Sequence, residues 1–401
     1  MLHNIYRNIK DVIYLTNYPN FQYIIIKSNG NIVNYYFHSD FGICSSLLSA
    51  SGKWNNAVSN AEDAKKDYSI NLDIDNTIYV IYRNKNGAIK LIIQNGSQTK
   101  SINVLQSKTN PDYNMYPKVI PINDSLHTFF IVDNSGKKII CHQNIKDGKP
   151  QQPVAVDYIN YNDQYIPYTV VSCKSKILLL YTTSSEGKDT AGVRVFEQST
   201  EKWGKFVPLT KPADIIYSPV MSCYKNKIVL AYVKKYEDAT YIVKRNFSDI
   251  SLTLSTEQET VKCPNPDILP QIYLSEDTEI IYWRDDRQVQ YIVDSGNSEN
   301  ITVKYLDFNE RNSILHFNVV ANIDNQIIQA NLLPGNFSNG LTLSFIKTPA
   351  SVTNTAYSSE KTTHSGEFKA LEAIYDKIIG LEKSIRLINE KISSLEKKLG
   401  S

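Results

Sequence analysis

The sequence contains no run of 18 consecutive apolar residues and no cluster of five or more basic ones. The first absence leaves no candidate membrane-spanning helix. The second, with a net charge of +2, gives nucleic acid and anionic membrane no evident surface to bind. Met1 to Tyr14 lacks a basic stretch followed by an apolar core and a small-residue cleavage site, so Sec export is not expected. Cysteine is scarce: Cys44, Cys141, Cys173, Cys223 and Cys263 are odd in number, far apart and without CxxC or CxxH spacing, and are read as buried free thiols. His3, His38, His127, His142, His316 and His364 show no paired ligand spacing, and GxSxG, P-loop and HExxH motifs are missing. No metal and no cofactor are therefore expected. Asp73-Ile74-Asp75-Asn76 alternates oxygens as a calcium loop does, but lacks its Gly and distal Glu and is read as a turn.

What is present is a repeat. Between residues 11 and 300 apolar runs closed by turn residues recur, most clearly as a proline, a short strand, a polar turn and a strongly apolar strand. Pro117, Pro167, Pro219 and Pro270 head four copies, 50, 52 and 51 residues apart. Ser69 stands in the proline's place in another copy, and Val12 with Phe21 to Ile26 gives the first. Asn29-Gly30, Asn86-Gly87 and Ser135-Gly136 then supply the positive φ that turns the chain into a returning strand. Six units of about 50 residues, each of about four antiparallel strands, predict a β-propeller, because one four-stranded blade has two apolar faces that only a closed ring covers. The fold expected is all-β: a six- or seven-bladed β-propeller over residues 1–347, with 301–347 a divergent seventh blade or a connecting β element. Seven blades is the leading count.

Residues 348–365, rich in Ser and Thr, read as a linker. Beyond them Leu371, Ile374, Ile378, Leu381, Ile385, Ile388, Ile392, Leu395 and Leu399 step 3, 4, 3, 4 throughout. A 3.5-residue seam needs a partner helix, so 366–399 is predicted to be a parallel α-helical coiled coil. β-Branched residues in both core layers favour a homotrimer over a dimer, and Lys377 with Glu382 and Lys391 with Glu396 allow identical chains to meet in register.

The apolar strands end in an aligned Tyr82, Tyr181, Tyr232 and Tyr282, with Val132 in the third copy. A group repeated in every blade is read as scaffold. The residues just after it differ, as Arg83, Asp133, Thr182, Val233 and Trp283, and variation on a rigid repeat is where function is sought. Trp283, Arg284, Asp285, Asp286 and Arg287 combine an aromatic face with carboxylates and guanidinium groups, the mixture a sugar ring needs, although an ion-paired turn explains them as well. Trp54 and Trp203 each follow a turn and a Lys at one place in the repeat, either to stack a sugar between blades or to wedge the rim.

The apolar strand ending in Tyr, the polar turn and the later Glu201-Lys202-Trp203-Gly204-Lys205-Phe206 resemble the blades of propeller lectins of the fucose-binding type. That resemblance covers residues 11–300 and implies carbohydrate binding, although the family's sugar-clamping Arg and Glu pair is not repeated in every blade. A propeller head on a trimeric stalk is also similar in architecture to receptor-binding fibres of phages and contractile bacteriocins. The function expected is non-enzymatic recognition of a glycan or cell-surface polymer on a particle or spore surface, with avidity from the stalk. A glycan-processing hydrolase and a structural assembly protein are the alternatives, and the Ser-x-Asp-x-Gly-x-x-Trp box of sialidase propellers is missing.

Overall fold

A computed structural model describes residues 22–346, apart from 50–51, 108–109, 162–165, 186–187, 212–213, 238, 248–251, 253–257, 264–267, 286–287, 294–301, 307–314 and 338–340. The linker, the coiled-coil seam and the pair Asp286 and Arg287 lie outside the described residues. Every regular element among the described residues is a strand.

The strands form six sheets, numbered here as blades in chain order. Blade two runs from Ala64–Leu72 outward to Gln98–Leu105. Blade three is Lys118–Ile122, Ser125–Asn134, Lys137–Lys146 and the outer pieces Lys149–Pro150 and Val154–Tyr158. Blade four is Tyr168–Cys173, Lys176–Ser185, Lys188–Glu197 and the short Lys202–Trp203 and Val207–Pro208. Blades five and six begin with Ile215–Tyr224 and Gln271–Leu274. The hairpin chemistry holds where it was expected: Gly87 (φ +87°) and Gly136 (φ +84°) take the left-handed conformation between paired strands.

Period-2 alternation then fixes the packing. In blade four Leu178 and Leu180 face blade five, while Ile177, Leu179 and Tyr181 face blade three. Six apolar clusters result, one between each pair of neighbouring sheets, and each buried Ile or Leu in them contributes about 1.5–3 kcal/mol. The innermost strands touch in a closed circuit from Ala64–Leu72 through Lys118–Ile122, Tyr168–Cys173, Ile215–Tyr224, Gln271–Leu274 and Gln326–Asn336, and Leu315–Ile323 returns to the first. The ring has six blades, which corrects the seven-blade expectation. The described residues after 314 make no blade of their own, because blade one would otherwise present an uncovered inner edge and face. Leu315–Ile323 pairs parallel to Gln22–Ile26, and Gln326–Asn336 and Thr342–Leu343 extend that sheet inward, so both ends of the propeller close one blade.

This closure also alters the first repeat. Ser28 in the Asn29-Gly30 turn binds Asn76, which lies in the turn between the first two strands of blade two. The first turn therefore sits at the opposite end of the ring from Asn86-Gly87.

A second correction concerns cysteine. Cys44, Cys141 and Cys263 are buried thiols, but Cys173 and Cys223 form a disulfide between the innermost strands of blades four and five. Their separation of 50 residues is one repeat, so equivalent positions of successive blades face each other.

Candidate recognition site between blades three and four

The upper end of the ring is defined here as the end where the second strand of blades two to six turns into the third. Tyr82, Tyr181, Tyr232 and Tyr282 do not end their strands, which run two to four residues further toward this end, but they are at most 3 % exposed, so the aligned tyrosines are scaffold, as expected. Their hydroxyls cannot be buried unpaired without cost. Tyr82 Oη donates to Asp63 Oδ1 (3.1 Å), Tyr181 Oη to Asp157 Oδ2 (2.5 Å), and Tyr282 Oη to the Asn331 carbonyl. A cation completes two of these contacts: Lys90 Nζ at 2.6 Å from Asp63 and Arg194 Nη2 at 3.1 Å from Asp157. Asp63 comes from the turn leading into blade two, whereas Asp157 lies in the outer strand of blade three and reaches across to Tyr181 and Arg194 of blade four. Burial and the adjoining carboxylate both raise the Tyr181 phenol well above its ordinary range.

Around the Asp157 clamp polar groups surround an exposed ring. Tyr158, next in the edge strand, turns the other way and leaves its ring 48 % exposed. Asn134 Nδ2 reaches its hydroxyl at 3.4 Å and Lys137 Nζ lies 5.8 Å from its centroid. Two residues on, the Asn160 amide N–H donates to the Thr182 carbonyl (2.9 Å), tying the end of blade three to blade four. Asn160 Nδ2 donates to Asp189 Oδ1 (2.6 Å), and Ser184 Oγ bonds both Asn160 and Asp189. On the blade-three side Lys138 Nζ sits 3.4 Å above the Tyr113 ring and pairs with Asp133 at 2.8 Å. An aromatic face beside fixed carboxylate, amide and hydroxyl groups offers both the stacking surface and the hydrogen-bond partners of a saccharide.

The residues singled out in the sequence are not brought together. Arg83 is buried at 6 % exposure in blade two, with its Nε 3.4 Å from Asp67 and its Nη1 donating to the Pro111 and Tyr113 carbonyls. Trp283, at 1 % exposure, packs in the core between blades five and six. Arg284 is exposed at the upper end, and Asp285 closes its strand. Trp54 and Trp203 lie at the lower end, following the turns between third and fourth strands, and both are half-buried. Trp54 meets Phe337 edge-on at 5.5 Å, and its Nε1 is buried without a hydrogen-bond partner. Trp203 packs against Phe196 (5.2 Å) and donates from Nε1 to His142 Nδ1 (3.2 Å).

Trp203 opens a sealed relay that the sequence did not reveal. With His142 Nδ1 accepting, His142 Nε2 carries the proton and donates to His127 Nδ1 at 3.0 Å, leaving His127 Nε2–H buried and unpaired. Burial holds His127 down at about 4 and His142 at about 3, the second lowered further by the first. Phe129 stacks on His142 at 4.9 Å and Phe196 meets both rings edge-on.

Asp157 and Tyr158 escaped sequence reading because the clamp has no fixed spacing: 19 residues separate Asp63 from Tyr82, and 24 separate Asp157 from Tyr181. The disulfide did carry a signal, its separation of 50 matching the repeat.

No protein-family model matches the sequence, and no curated protein does. Among solved structures the chain is similar to AofleA from Arthrobotrys oligospora, with 12 % identity over 74 % of this chain and 89 % of that one, at a TM-score of 0.43. A fungal lectin from Aleuria aurantia with a six-bladed β-propeller fold gives 8 % identity, 71 % and 93 % coverage and a TM-score of 0.40. The polysaccharide lyase Uly1 gives 9 %, 82 %, 89 % and 0.47. Such identities and scores say nothing of what this chain binds. The chain's own strand pairing defines it as a six-bladed β-propeller protein.

Proposed function

We propose that the protein is a non-enzymatic recognition head that binds glycan at the upper boundary of blades three and four. The observation that carries this reading is the exposed Tyr158 ring beside side chains already held by one another, Asp157 by Tyr181 and Arg194, and Asn160 by Ser184 and Asp189. A surface ordered before the ligand arrives loses little side-chain entropy on binding. Exposed Arg284 of blade six, with Asp285, Asp286 and Arg287 after it, is a separate contact for the same polymer elsewhere on the ring. The seam from Leu371 to Leu399 assembles identical chains, with the trimer preferred, so that weak single contacts gain about 10²–10⁴ in avidity when several heads engage one polymer. A particle or spore surface is the setting this arrangement serves.

The test is a glycan-array screen of the full chain beside a version ending at Thr363. Strong binding by the first and feeble binding by the second supports an avidity lectin. Silence from both on a broad array overturns the reading and transfers weight to a hydrolase or a protein partner.

A further inference from the structure

The innermost strands of blades two, three and four converge at the upper end around one carboxylate, Asp67. Its oxygens are engaged: Oδ1 accepts from the Tyr116 amide (3.0 Å), and Oδ2 from the Met115 amide (2.7 Å) with Arg83 Nε at 3.4 Å. Tyr168 Oη, from blade four, donates to the Tyr116 carbonyl at 2.5 Å. Lys65 Nζ donates to Asn110 Oδ1 at 2.9 Å, and its charge is felt by Asp67 and Arg83. One further cation belongs to this group. Lys118 opens the innermost strand of blade three opposite Phe129, is half-buried, lies within the field of Asp67, and its ammonium forms no hydrogen bond or ion pair with the described residues. Three cations thus surround one anion that is already bonded to two amides and a guanidinium.

At the equivalent place after the repeat's proline the other copies carry Tyr168, Val220 and Gln271, and after Ser69 they carry Ile70. A lysine there is specific to this blade, and no side chain among the described residues pairs with it. An ammonium has three donors and no acceptor, so donors left over by the protein are open to an anionic ligand.

We infer that Lys118 is the anion anchor of a second saccharide subsite, at the inner edge of blades two to four, which takes the carboxylate of an acidic sugar. This rests on the glycan-binding reading above and adds the charge class of the ligand. Burial pushes the Lys118 amine down to about 8, against the pull of Asp67. An anion bound there is therefore released as pH rises through about 8, two units below the range in which an ordinary lysine would let go.

The experiment is calorimetric titration of the full chain with hexagalacturonate, its methyl ester and a sulfated neutral hexasaccharide, repeated with Lys118→Gln and Lys118→Arg. The acid is expected to bind at least about tenfold more tightly than the ester, the worth of one charge-assisted hydrogen bond. Glutamine abolishes that preference, arginine retains it, and wild-type affinity for the acid falls between pH 7 and 9. Sulfate binding as tightly as the uronate would overturn the carboxylate assignment in favour of a general anion site. Equal affinity for acid and ester, a preference that survives Lys118→Gln, or no binding of either overturns the anchor itself. Neutral glycans that still bind on the array would leave the recognition reading standing in each case. In parallel, NMR of ¹³C-methylated lysines identifies the Lys118 resonance by its loss in Lys118→Arg. Titration near 8, moved upward by hexagalacturonate, supports the anchor, and an ordinary, ligand-insensitive titration rejects it.

Discussion

The boundary between blades three and four has two ends built from the same strands with opposite outcomes. At the lower end Phe129, Phe196 and Trp203 enclose two imidazoles whose proton order is fixed by a single indole donor. At the upper end Asp157, Tyr181 and Arg194 form an equally specific contact, yet Tyr158 and Asn160 beside it face water. Both ends tie one blade to the next, but only the upper one leaves binding surface over. A polar group inside a sealed contact acts on stability, whereas one at an open contact acts on recognition as well.

Acid should separate the two ends most sharply. A histidine whose pKa is held below its unfolded value stabilises nothing above pH 6.5, and stability is lost as pH falls from about 6.5 toward the folded values of about 4 for His127 and about 3 for His142. The loss is about 1.4 kcal/mol per pH unit for each histidine, so thermal midpoints measured from pH 6.5 to 4.5 should drop steeply. His127→Phe with His142→Phe should reduce that dependence to the part contributed by His316, which burial also holds down at about 4, and an unchanged slope would show that the relay does not govern it. Removing the Cys173–Cys223 bridge by Cys173→Ser should cost about 2–4 kcal/mol in urea titrations. Peptide mapping without reductant should find that bridge, with Cys44, Cys141 and Cys263 as thiols. Trp203→Phe, which deletes one hydrogen bond and part of the packed ring system, should cost about 1–3 kcal/mol and leave array binding unaltered. Tyr158→Ala should do the reverse: stability within about 0.5 kcal/mol of wild type and glycan binding reduced about tenfold or more, the scale of a lost aromatic anchor. If Trp203→Phe instead abolishes binding and Tyr158→Ala does not, the assignment of recognition to the upper end is wrong.

Much of the architecture was legible because it is periodic. The spacing of Pro117, Pro167, Pro219 and Pro270 predicts the blades, and repetition alone marks the aligned tyrosines as the core residues they are. Trp283 looked like a binding aromatic because neighbouring letters include charges, but alternation directs its ring inward and Arg284 outward. Arg83 likewise stands at a variable position, and a buried carboxylate holds it there. Lys118 was not singled out in the sequence, since its lack of a partner depends on Asp67 being engaged by amides 48 and 49 residues away.

The sequence by itself determined the all-β repeat, the placement of its turns and which tyrosines would be buried, because hydrophobic alternation and glycine-bearing turns act over a few residues. Only the tertiary structure decided that six blades close the ring, that the strands after residue 314 enter blade one, and that Cys173 meets Cys223. It also decided that Asp157 reaches Tyr181 while Tyr158 stays in water. These are contacts between separate blades, and they depend on how the sheets turn about a common axis, which no local pattern of side chains encodes.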